Sequence, residues 1–243
     1  MKTIVFSFLS LLFLTTVFAQ GENEDPTFRN SADLVITGTS VVFDERLEQL
    51  IFSIEVEGSA GEAIPTAAGQ LDGAPVLGYV FPTTLKPTDV GFSATEGILA
   101  LALTSHPDFD DTPLWDENND RDYANDGVIW HPHWVVLAAD ERVAGGLSVK
   151  QFDAADATVV LPPTNPGMPM YMDSPGHPII TKGSVIRVVV PTYRMNHQTD
   201  FNFDAVTAYM QVNTSDPNYP MLGVYSVYSV ASGDLSLPYQ VSK

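Results

Sequence analysis

The sequence predicts an all-β fold: an antiparallel β-sandwich, jelly-roll-like, in a single domain with two long functional loops. Two observations carry this expectation. About ten short stretches rich in β-branched and aromatic residues are separated by Gly, Pro, Asn and Asp. No segment keeps an apolar helical period over three turns.

The first residues are set apart from the fold. Lys2 is followed by an almost wholly apolar run over 4–14, and Val17-Phe18-Ala19 offers small residues for cleavage. Residues 1–19 therefore read as a secretory signal peptide, and the expected location is secreted or periplasmic. Residues 20–31 are polar and acidic and contain Pro26, which reads as a flexible leader. The β-sandwich domain is expected over 32–243. No later run of about 18 apolar residues exists, so no membrane span is expected.

The strands follow in order at 33–43, 49–56, 76–81, 97–104, 128–137, 147–152, 158–161, 185–190, 205–212 and 222–230. The clearest is 49–56, where Leu50, Phe52, Ile54 and Val56 share one face and Ser53 and Glu55 the other. The turn Asp44-Glu45-Arg46 joins it to the preceding strand as a hairpin. Residues 97–104 (GILALALT) are apolar throughout, as in a strand buried on both faces. Residues 140–146 read as one helical turn or a loop. The stretches 104–127 and 162–184 exceed the usual length of plain connections, which marks them as functional candidates.

Composition excludes several classes. The formal net charge is -19, which repels nucleic acid and anionic lipid, so neither is an expected partner. There is no cysteine. Disulfides, thiolate zinc, iron–sulfur and blue-copper sites and a Cys nucleophile are thereby excluded. A metal would have to be held by His, carboxylate, Met, carbonyl or water.

Residues 104–137 hold three of the five histidines and all three tryptophans. In an extended strand His131 and His133 point to one face, a spacing that can chelate one cation. Pro132 between them lacks an N–H, so the strand is expected to be an edge or bulged there. His131-Pro132-His133-Trp134 resembles the zinc strand of α-type carbonic anhydrases. The likeness covers those residues alone. The downstream histidine of that family is missing, so the chain is not assigned to it. A cupin pattern fails as well, because Glu141 and Gly145 fall at the wrong offsets. His106 lies just past the 97–104 strand and comes within reach if that strand pairs with the next. Asp108 is a candidate fourth ligand, and His177 and His197 are alternatives. Such a set suits zinc or copper.

Two weaker candidates accompany it. Asp116, Asn118, Asp120 and Asp122 are spaced by two, as in the first half of a calcium loop. Arg121 stands where the glycine is needed and Gly127 where the bidentate Glu belongs, so the EF-hand pattern is broken. Met168, Met170 and Met172, followed by His177, could supply soft ligands to copper(I) or simply plug the core. Trp115, Tyr123, Trp130 and Trp134 could stack on a sugar or anchor the core. Asn213-Thr214-Ser215 is a glycosylation sequon.

The leading expectation is an exported protein that holds zinc or copper through His131, His133 and His106. A metal-dependent enzyme with Glu141 or Asp108 as general base is the second. A calcium-stabilised module binding a glycan or protein partner is the third. A metal bound by neutral imidazoles should be lost as pH falls from about 6.5 to 4.5, with little change in the metal-free protein.

Overall fold

The computed structural model describes residues 28–66, 70–107, 116, 119–122 and 128–243. The expected signal peptide and most of the expected leader lie outside these residues. The leader's last residues do not extend freely. Phe28 is buried in the core, and Ser31 caps a 3-10 turn over Ala32–Leu34.

The described residues are all-β with antiparallel sheets. β1 (Ile36–Asp44) and β2 (Gln49–Val56) form the expected hairpin. β3 (Pro75–Pro82), β4 (Ile98–Ser105) and β5 (His131–Ala139) follow, then β6 (Leu147–Val149) and β7 (Met172–Asp173). β8 (Ile179–Lys182), β9 (Val185–Pro191), β10 (Asn202–Phe203), β11 (Val206–Val212), β12 (Leu222–Val230) and β13 (Tyr239–Gln240) complete the set.

The sandwich expectation is replaced in one respect. The larger sheet runs β4-β3-β11-β12-β6-β5, and β4 then pairs with β5, so six strands close into a barrel. β1-β2-β9-β8 form a separate four-stranded sheet. Strand alternation alone cannot reveal whether the two ends of a sheet meet, so the sequence did not distinguish closure from an open layer.

Size alternation along β4 explains how one strand serves two cores. Leu99, Leu101 and Leu103 point outward and join Phe52, Ile54, Val188 and Tyr79 in the larger apolar cluster. Phe52 of the small sheet meets Phe81 of β3 edge-on at 5.3 Å. Ala100 and Ala102 point inward and join Val80, Val135, Ala208 and Met210 in a second cluster inside the barrel. Six strands enclose a narrow lumen, which admits small side chains and leaves no space for a row of leucines. Gly78 of β3 belongs to the same logic, since a Cβ there would lie 2.9 Å from the Met210 methyl.

The expected strand over 158–161 is absent. Val160 is 57% exposed there, and Asp156 folds the chain back through hydrogen bonds to Thr158. Residues 140–146 are a turn, with Asp140 accepting from Arg142 and Ser148. Leu101→Ala is expected to cost about 2–5 kcal/mol in urea denaturation, as a fully buried leucine on the shared wall. Val160→Ala should stay within about 0.5 kcal/mol.

Candidate metal centre

β4 and β5 build the site between them. Their register sets Thr104 opposite His131 and Ala102 opposite His133. Directly opposed residues share a face, so both histidines lie on the lumen side at one end of the barrel. Among the described residues no second strand pairs with the other edge of β5 at His131–His133, because its pairing with β7 starts only at Trp134, opposite Asp173. Pro132 therefore sits where β5 is a local edge, as its missing N–H requires. β4 ends at Ser105, and the next residue, His106, turns its ring onto the same spot.

The three imidazoles are buried, and one ring nitrogen from each lies within 4.8 Å of the others. They are close enough to bind one metal ion. Among the described residues they form such a cluster without a carboxylate. His131 stands nearly perpendicular to both neighbours, at 87° to His106 and 79° to His133.

Hydrogen bonds fix the tautomers. His131 Nδ1 lies 2.6 Å from the Ile129 carbonyl, and His106 Nδ1 lies 2.8 Å from the Pro107 carbonyl. A carbonyl oxygen only accepts, so each Nδ1 carries the proton. In a neutral ring Nε2 is then a bare lone pair. The two Nε2 atoms face each other at 3.0 Å. A contact of that length is favourable when the two nitrogens share a cation, a metal ion or a proton. Tetrahedral zinc with Zn–N near 2.0–2.1 Å would hold two nitrogens about 3.3 Å apart. His133 Nδ1 meets the Ser174 hydroxyl at 3.0 Å, which leaves its Nε2 for the centre. Holding the distal ring nitrogen in this way is the usual support of a metal-bound imidazole.

Burial disfavours a proton on His131 and on His133. Burial, then the charges of His133 and His106, hold His131 well below its ordinary value. Burial, then His106, pulls His133 down to about 3, against a hydrogen bond with Asp173 that raises it.

A small chamber of about 30 Å³ opens beside the rings. His106, His133, Thr104, Met168, Met172 and Met210 contribute to its wall. The Thr104 hydroxyl is 3.4 Å from His131 Nε2. Met168 and Met172 thus come to the histidines, whereas Met170 is fully buried in the luminal apolar cluster.

Other candidates fall elsewhere. His177 lies outside the cluster, on the connection between β7 and β8. Its buried Nε2 has no hydrogen-bond partner among the described residues, and burial, with Arg194 nearby, lowers it to about 4. His197 is exposed at positive φ in a turn. Asp116 accepts from the backbone of Asp120 and Arg121, and Asp120 accepts from that of Asp122. These carboxylates organise their own turn. Asp108 and Asn118 lie outside the described residues, as do Trp115 and Tyr123. Glu141 is exposed past the far end of β5. The six strand steps from His133 to Ala139 alone span about 20 Å at about 3.3 Å per residue, so Glu141 cannot be the histidines' general base. Trp130 packs on Tyr79 at 4.8 Å and donates to the Gly61 carbonyl, and Trp134 is buried in the larger core. Neither offers a face to a sugar. Asn213 spends its side-chain N–H groups on the Asp216 and Tyr219 carbonyls, so the sequon is tied into a turn.

Sequence reasoning missed Ser174, Thr104 and Met210. No spacing marks Ser174, and Met210 is visible only as one apolar residue in a strand.

No protein-family model matches the chain, and neither the curated proteins nor the solved structures yield a match. Function rests on the site alone.

The buried histidines predict a pH dependence of the metal-free protein itself, where the sequence alone led to an expectation of little change. Their folded values lie below the unfolded value near 6.5. Stability is therefore full above about pH 6.5 and falls as the unfolded chain takes up protons, down to about pH 3. Melting curves of metal-free protein across that range should show the decline. The His133→Asn variant should show a shallower one.

Proposed function

We propose that the protein is an exported metal-binding protein that holds a copper or zinc ion through His106, His131 and His133. The gathering of three buried ring nitrogens within 4.8 Å of one another, with two of the rings held at Nδ1 by backbone carbonyls, carries this reading. Rings held at Nδ1 by the main chain turn Nε2 inward, which is the usual support of a metal-bound imidazole. Export is read from the sequence of residues 1–19.

The thioethers of Met168, Met172 and Met210 around the adjoining chamber favour copper(I) over zinc, since soft sulfur adds to copper(I) affinity and little to that of zinc. A second reading, a metal-dependent enzyme, has one supporting observation. A chamber, and not a fourth His or carboxylate, adjoins the three rings among the described residues. Three protein ligands with an open position would let bound water ionise near neutral pH.

Untagged protein equilibrated with zinc, or with copper(I) under reductant, should carry about one ion per chain by elemental analysis. Less than about 0.1 ion per chain for both metals would remove the metal reading. The His131→Ala/His133→Ala double variant should lose both metals. Met168→Leu/Met172→Leu should weaken copper(I) and leave zinc unchanged. Ester hydrolysis by the zinc form, rising with pH and absent in the double variant, would select the enzyme.

A further inference from the structure

The barrel has a second, larger cavity beyond the histidines. It measures about 80 Å³ and is lined by Val80, Leu137, Ala208, Val227, Leu235 and Leu237, among others. Ala102, Val135 and Met210 line both this lobe and the smaller chamber. The two are therefore neighbours along one axis, with those three side chains as the waist.

We propose that the lumen is a binding site for a short, unbranched aliphatic chain with one polar head. The far lobe offers almost no polar surface, and a cavity of that character stays dry. An engineered cavity of about 150 Å³ takes a benzene ring. At about 80 Å³ this lobe is roughly half that size and, continued through the waist into the smaller chamber, fits a slender chain. Met210 at the waist is a flexible thioether that can move aside. Gly78 supplies the space around its methyl. Past the waist, Thr104, His106 and His133 provide the polar groups that would meet the head.

The floor of the lobe gives independent support. Leu235 and Leu237 both adopt positive φ, 58° and 54°. That region is costly for a bulky residue and persists only where surroundings enforce it. Here Asp204, fully buried, accepts hydrogen bonds from Ser232, whose hydroxyl in turn takes the N–H of Leu235. Asn202 donates to the Leu237 carbonyl at 3.1 Å. The chain accepts two strained leucines and thereby closes the lobe with apolar surface. This binding does not require the metal.

The test is a titration of the metal-free full chain, labelled at its methionine methyls, with 1-pentanol followed by NMR. The Met210 methyl should shift saturably, with Kd on the order of 1 mM. The branched isomer 2,2-dimethyl-1-propanol should not saturate it. Ala208→Leu, which fills the far lobe, should abolish the effect, and Met210→Ala should admit the branched isomer, read there at the Met172 methyl on the chamber wall. If Ala208→Leu does not fold, the wild-type comparison of the two isomers decides alone. A shift that stays linear, or equal saturation by both isomers, overturns the proposal.

Discussion

The pairing of β4 with β5 is the constraint on which the rest depends. It turns a sheet into a barrel, and so creates an inside and an outside. The outside takes the leucines of β4 and packs on the small sheet. The inside takes its alanines. The same register sets His131 beside Thr104 at one end and leaves His106 one step beyond the strand. A shift of one residue would turn both β5 histidines onto the outer face and the leucines into a lumen without room for them. Packing and chemistry thus enforce the same register.

Different parts of this arrangement were legible in the sequence for different reasons. β2 was read with its exact bounds, because one face is buried and the other is not, and polarity alternates accordingly. The shared face of His131 and His133 followed from strand geometry alone, and His106 came within reach once its strand met theirs. Barrel closure was hidden, since in β4 only side-chain size alternates and polarity does not. Residues 158–161 misled because Val159, Val160 and Leu161 have strand chemistry but no sheet edge to join. The short strands β7, β8, β10 and β13 carry too few residues for any period to register. Glu141 was misplaced as a base because nearness in sequence says nothing about the length of the strand between.

The centre joins two kinds of cost. Three imidazoles are removed from water, and two bring their Nε2 atoms to 3.0 Å. A rotated ring could relieve either. Backbone carbonyls at Ile129 and Pro107 prevent that by pinning the opposite edge of each ring. The geometry is therefore set by main chain and does not depend on side-chain adjustment, which keeps such a site in place through small changes around it.

Sequence distance along the barrel bears on the order in which it assembles. Thr104 and His131 are 27 positions apart, so the β4–β5 pair closes a short loop of chain. β3 meets β11 only after most of the polypeptide has been laid down between them. Contacts close in sequence form earlier, because less loop entropy opposes them. The three rings can therefore gather in a β4–β5 hairpin that is still open on its luminal side. The wall of β11 and β12 arrives later and shuts them in. An ion taken up at that early stage would need no path through the finished barrel, and would leave it as slowly as the barrel opens.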